Sequence, residues 1–175
     1  ESLPRRYMTH TACFRRESGA AGKDTRGMQR LHEFHKLEMV AICRPETVED
    51  EFKLLVGQAE KALQALGLPY RVLDLCTGDI PFSAARVYDL EVYAPGVDRW
   101  LEVSSVGIFT DFQARRGNIR FRDSGGKPQH PYFLNGSALA TPRVWAAVLE
   151  HGLQPDGSIQ IPEPLVRYCG FDRIY

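Results

Sequence analysis

Two strand-like runs, Thr11 to Arg16 and Phe34 to Ile42, flank a Gly-rich polar loop that contains Gly19 and Gly22. That layout restricts this part of the chain to an antiparallel hairpin. Side chains on a strand alternate between faces, so Arg15 and Glu17 share one face and Arg16 takes the other. A cation and a carboxylate on one wall can hold an anion and a donor group together. A structural cross-strand pair is the alternative for Arg15 and Glu17, since exposed pairs of this kind are common and contribute little.

Further along, apolar residues recur at helical spacing. Phe52, Leu55, Val56, Ala59, Leu63 and Leu66 make one stripe, with Thr47 and Asp50 as a capping-box start and Gly67 as the stop. The stripe reads as core packing. Tyr70 to Leu75, Arg86 to Tyr93, Arg99 to Ser104, Asn118 to Arg122 and Pro131 to Gly136 read as strands, with a short helix from about Thr110 to Arg116 and a hairpin loop over Ser124 to Pro128. A second amphipathic helix follows, with Thr141 expected as its N-cap, Pro142 in the first turn, Val144, Ala147 and Val148 on its apolar face and Gly152 as its stop. Arg143 then lies in the first turn, where a cation costs about 0.3 to 1 kcal/mol against the helix dipole, so a bound anion is expected to compensate it. Strands in succession with few helices predict an α+β domain around an antiparallel sheet.

The chain of 175 residues suits one domain, and 22 basic against 22 acidic residues argue against a protein that works mainly by coating nucleic acid. Any RNA contact must come from a local patch or another segment. No apolar run reaches the length of a membrane span and the charged start lacks a signal-peptide core, so no membrane partner and a cytoplasmic location are expected. Cys13, Cys43, Cys76 and Cys169 are scattered and read as reduced thiols. His32 and His35, expected in a strand, would point to opposite faces, which disfavours a shared metal. There is neither a Walker-type phosphate loop nor a dinucleotide fingerprint.

The hairpin residues, Phe14-Arg15-Arg16-Glu17 through Lys36-Leu37-Glu38, resemble motif 2 of class II aminoacyl-tRNA synthetases, closest to the seryl-tRNA synthetase version. Leu134-Asn135-Gly136-Ser137-Ala138-Leu139-Ala140-Thr141-Pro142-Arg143 resembles motif 3. Between them Glu102-Val103-Ser104-Ser105 is similar to the family's Glu-Ile-Ser-Ser segment, and other matches keep the same order over nearly the whole chain. The resemblance implies a class II synthetase-like antiparallel sheet flanked by helices. It makes residues 1–175 part of a catalytic domain, with motif 2 at about 11–42, motif 3 at about 132–151, and the coiled-coil arm, motif 1 and a serine-contacting Thr-x-Glu segment expected upstream.

The implied activity is ATP-dependent ligation of serine to tRNA. By resemblance, Arg15 and Arg143 are the catalytic cations, Arg15 meeting the α-phosphate and the serine carboxylate and Arg143 the γ-phosphate. ATP contacts would come from Arg15, Arg16, Glu17, Phe34, Glu102, Val103, Ser104, Ser105 and Arg143, with Glu17 on the adenine amino group. Phe34 would stack on the adenine, a core role being its alternative. Glu38 and Ser137 join Arg15 around serine, and Glu102 and Ser105 supply the oxygen ligands that Mg²⁺ prefers. Lys23 and Arg26 would meet phosphates of the tRNA(Ser) acceptor end, and a homodimer is implied. One departure follows Ser105: where the family usually has Cys-Ser-Asn, this chain has Val106-Gly107-Ile108, a change expected to alter the substrate pocket or the magnesium shell. A synthetase-like regulatory paralogue and seryl transfer to an acceptor other than tRNA are the alternative readings.

Overall fold

The computed structural model describes residues 3–16 and 27–175. β1 (Arg5–Phe14) and β2 (Glu33–Cys43) form the expected antiparallel hairpin, with β1 reaching further back than the sequence suggested. α1 (Val48–Ala65) follows, then β3 (Tyr70–Asp74), β4 (Arg86–Ala94) and β5 (Arg99–Ile108). α2 (Phe112–Arg116) leads into a small hairpin of β6 (Phe121–Arg122) and β7 (Pro128–Gln129), so the strand expected from Asn118 keeps only its last two residues. β8 (Tyr132–Ala140) runs directly into α3 (Thr141–Gly152), and β9 (Ile159–Gln160), α4 (Glu163–Cys169) and β10 (Arg173–Ile174) close the chain.

Six strands make one antiparallel sheet in the order β1-β2-β8-β5-β4-β3. Its back is covered by α1 and α3, whose Phe52, Leu55, Leu63, Val144 and Val148 pack on Ala41, Leu90, Val106 and Leu134 in one buried cluster. Burying each large aliphatic or aromatic side chain contributes about 1.5–3 kcal/mol, which is why the helical stripes read from sequence end up on this face. The front of the sheet carries the polar members of the alternation. Gly136 lets β8 lie close against β5, since a Cβ there would sit 2.7 Å from Val106 Cγ2 and 2.9 Å from Val106 Cα.

Two bulges decide which side chains share the front. In the β4–β5 pair Glu91 faces Glu102 while Leu90 faces Ser104, so Val103 is an extra residue that turns into the core. In the β2–β8 pair Leu37 faces Leu139 and Glu38 faces Ser137, leaving Ala138 extra. Both irregularities fall in segments read from sequence as functional.

The helix ends differ from expectation in detail. Thr47 precedes α1 but makes no side-chain cap; its hydroxyl donates back to the Arg44 carbonyl at 3.2 Å, so the capping box with Asp50 does not form. Thr141 is the first helical residue of α3 rather than its cap, and Ala140 holds the capping position in extended geometry. Gly67 ends α1 as expected: at φ +69° it supports the pair of bonds Gly67 N–H to Gln64 O and Leu68 N–H to Leu63 O that satisfies the last carbonyls. His32 lies just before β2, not in it, and His35 stacks on His10 with ring centroids 5.0 Å apart. All four cysteines are free.

Candidate functional site

A cleft of about 240 Å³ opens on the front of the sheet, and charged residues from distant segments converge on it. From the hairpin come Arg15, Phe34, Lys36 and Glu38; from the other side come Glu102 and Ser105 on β5, Ser137 on β8 and Arg143 on α3. A larger, shallower groove of about 960 Å³ lies near β1 and the β6–β7 hairpin, but it gathers arginines such as Arg5 and Arg122 without an opposing carboxylate.

Arg15 follows β1, where its N–H donates to the His32 carbonyl at 2.9 Å and extends the hairpin ladder by a step. Its guanidinium lies over the Phe34 ring, 5.1 Å from the centroid, so cation and aromatic face form one wall. Arg16 is exposed and does not line the cleft, as alternation requires. Glu17, Lys23 and Arg26 lie outside the described residues.

Arg143 is held by backbone oxygens. Nη1 donates to the Glu102 carbonyl at 2.6 Å and Nε to the Gln29 carbonyl at 3.0 Å, while the Glu102 carboxylate stays 4.0 Å away. Gln29 belongs to a single 3-10 turn, Gly27–Gln29, that follows the Gly-rich loop and lines the cleft. The second anchor thus ties the Gly27–Gln29 turn to the start of α3.

Glu102 and Ser105 both open onto the cleft because the Val103 bulge offsets their three-residue spacing. Half of the Glu102 side chain remains exposed, into a concave wall rather than to open solvent. Desolvation there, reinforced by the charge of Asp89, pushes its carboxyl above the ordinary range, with Arg143 and Arg15 pulling the other way. Asp89, directly across from Ser105, also lies above the ordinary range, chiefly through burial, and Ser105 hydrogen-bonds to it. Its Oδ1 is buried without a hydrogen-bond partner among the described residues. The side chains of Val103 and Ser104 stay out of the cleft: Val103 joins the core, and the buried Ser104 hydroxyl donates to the Ser137 carbonyl at 2.6 Å.

No group of three or more His, Cys, Asp and Glu able to hold a metal ion occurs among the described residues. The site nonetheless fits Mg²⁺, which takes one or two protein oxygens and completes its shell with phosphates and water. The buried Asp89 Oδ1 without a hydrogen-bond partner among the described residues, across from Ser105 and beside the cleft-lining Glu102, is the observation that supports this fit.

At the other end, Glu38 pairs with Lys36 at 2.7 Å and receives a long contact from the Ser137 hydroxyl at 3.5 Å. Asn135 lines the same end, its amide donating to Gln113 Oε1 at 2.9 Å. Lys36, Asn135, Phe109, Asp89 and Gln29 carry or support the site yet were not singled out from sequence. The Lys36-x-Glu38 and Asn135-x-Ser137 spacings, each placing two side chains on one strand face, were the available signals for two of them.

Residues 1–152 match the tRNA synthetase class II core domain (G, H, P, S and T). The serine–tRNA ligase of Gemmatimonas aurantiaca is 60% identical over 171 residues, 97% of this chain and 40% of that protein. The serine–tRNA ligase of Finegoldia magna is 54% identical over 99% of this chain and 41% of its own length. Among solved structures, seryl-tRNA synthetase from Pyrococcus horikoshii complexed with ATP superposes with a TM-score of 0.94 at 44% identity, covering 98% of this chain and 39% of that one. Cytoplasmic serine–tRNA ligase from Naegleria fowleri in complex with AMP gives 0.92 at 34% identity, covering 98% of this chain and 41% of that one. The chain spans about two fifths of the length of these relatives. With an antiparallel sheet of this order and a family match over most of its length, the chain belongs to the tRNA synthetase class II core-domain family.

Proposed function

We propose that this chain forms the core of a serine–tRNA ligase, which activates serine with ATP and passes it to tRNA. The observation that carries the reading is the convergence of Arg15, Glu38, Glu102, Ser105, Ser137 and Arg143, from residues 15 to 143, on one cleft. In this reading the serine carboxylate oxygen attacks the ATP α-phosphorus, pyrophosphate leaves, and seryl-adenylate forms; the terminal ribose hydroxyl of tRNA(Ser) then takes the seryl group and AMP leaves.

Neither step needs a protein nucleophile, so the residues act by position and charge. Arg15 faces the α-phosphate and the serine carboxylate, Phe34 stacks on the adenine beneath it, and Arg143 holds the γ-phosphate. Glu17 would meet the adenine amino group, while Arg16, exposed and outside the cleft lining, takes no contact in this reading. Glu38 takes the serine ammonium, with Lys36 balancing its charge until substrate enters, and Ser137 sits beside it. Glu102 and Ser105 would hold Mg²⁺, which neutralises phosphate charge when bound. Val103 and Ser104 would contribute through the backbone, since their side chains turn away. The tRNA(Ser) acceptor end, a homodimeric assembly and a cytoplasmic location belong to the same proposal. No described helix is long and apolar enough to cross a membrane.

The Val106-Gly107-Ile108 departure favours a regulatory paralogue less than its sequence suggests. Val106 and Ile108 turn into the core, and Gly107 alone of the three lines the cleft. Equilibrium binding of a non-hydrolysable seryl-adenylate analogue tests the reading. Arg15→Ala and Glu38→Ala are each expected to weaken it by about tenfold or more, the scale of losing a charged contact. Unchanged affinity in both would remove the cleft from serine activation.

A further inference from the structure

We infer that Phe109 is the size-limiting wall at the amino-acid end of the cleft, and that Gly107 is the residue that makes room for it; the inference rests on the serine-activating reading above. Both residues line the cleft. A Cβ at position 107 would meet Phe109 Cε2 at 2.9 Å and Cζ at 3.0 Å, with Val87 Cγ2 at 3.5 Å. The phenyl ring therefore occupies the space that any other residue at 107 would need. Its backbone is fixed from two sides: the Phe109 N–H donates to the Phe133 carbonyl at 2.8 Å, and the Phe109 carbonyl accepts from the Phe112 N–H at 3.0 Å at the start of α2. The ring is placed by sheet and helix together.

Register locates this wall at the serine side. Gly107 faces Asn135, and Asn135 lies two residues before Ser137 on the same cleft-lining face of β8. Phe109, Val87 and Pro81 supply the apolar part of a cleft lining shared with Asn135, Ser137 and Glu38. A pocket with polar groups on one side and a rigid ring on the other admits a small hydroxylated side chain and meets an added methyl group with the ring. Discrimination by one methylene in such pockets is about 10- to 200-fold.

The test measures amino-acid-dependent pyrophosphate exchange with serine and with threonine in the full-length protein, alongside binding of non-hydrolysable seryl- and threonyl-adenylate analogues. Phe109→Ala is expected to raise the threonine-to-serine ratio of kcat/KM by about tenfold or more, and Phe109→Leu by less. Gly107→Ala is expected to weaken the seryl analogue by about tenfold, and adding Phe109→Ala should recover most of that loss because the clash is gone. A purely structural role would lower both amino acids alike and leave the ratio unmoved. A ratio within about twofold of the unmodified protein in both Phe109 variants, or the same Gly107→Ala loss in both backgrounds, overturns the inference. Serine exchange intact with an unmoved ratio removes only the Phe109 wall; neither exchange nor seryl-analogue binding in the unmodified protein removes the serine reading and the wall with it.

Discussion

Arg143 is anchored by the main chain of Glu102, not by its carboxylate: Nη1 lies 2.6 Å from the carbonyl oxygen and 4.0 Å from Oε2. The strand backbone therefore positions the cation, while the carboxylate of the same residue stays available to a different ligand. Two charges of opposite sign stand side by side, Arg143 partly offsetting the desolvation of the Glu102 carboxyl without a direct hydrogen bond to it.

That separation predicts a selective effect of Glu102→Ala. The variant keeps the carbonyl that holds Arg143, so ATP binding without metal should change little, and the gain in ATP affinity on adding Mg²⁺ should fall by about tenfold or more, the scale of lost metal-binding groups. Calorimetric titration with and without Mg²⁺ checks this. An undiminished magnesium-linked gain would take Glu102 out of the metal site.

Gly136→Ala should destabilise the fold. The added Cβ would press on Val106 at 2.7 and 2.9 Å, against backbone as well as side chain, where neither strand can retreat. Overpacking of this kind costs about 1–3 kcal/mol, to be read as a lower denaturant midpoint with an unchanged slope. A midpoint equal to that of the unmodified protein would show that β5 and β8 separate more easily than the packing indicates.

How far the sequence predicts the site depends on the regularity of each strand. The hairpin was legible because strand-forming runs flank a Gly-rich loop, and α1 because its period-3.6 pattern ran unbroken. Alternation alone set Arg15 and Arg16 on opposite faces, whereas Phe34 entered the site by resemblance and meets Arg15 through the cross-strand register. Glu102 and Ser105 were assigned to one site only by resemblance. Three residues apart on a regular strand they would point to opposite faces, and it is the Val103 bulge, set by pairing with β4, that brings them together. Asp89 and Phe109 belong to the site through neighbours that no local pattern reveals. α4 escaped for a different reason: it is short, although Pro164 in its first turn and Gly170, at φ +78° just past its end, were readable start and stop signals.

The β6–β7 turn should respond to acid. The Asp123 carboxylate accepts from the Lys127 and Gly125 N–H groups, each at 2.9 Å, and the Lys127 bond leads in holding its carboxyl below the ordinary range. A lowered folded value means the turn gains stability above the unfolded carboxylate range and loses it as pH falls through the lower, folded value. The amide resonances of Gly125 and Lys127 should titrate together with a midpoint below that of an unstructured Asp, and Asp123→Ala should abolish the titration. A midpoint at the ordinary carboxylate value would contradict the bonding.

Serine-dependent exchange of pyrophosphate into ATP, measured in the full-length protein, tests the central claim most directly because it reads activation apart from transfer to tRNA. Exchange should appear with serine, be poor with alanine, which leaves the polar groups of the pocket unpaired, and fall by about 10² or more in Arg143→Ala, the scale of removing one preorganised charge contact. A protein that binds ATP but shows no serine-dependent exchange above the Arg143→Ala background would contradict the ligase reading and leave the regulatory paralogue in its place.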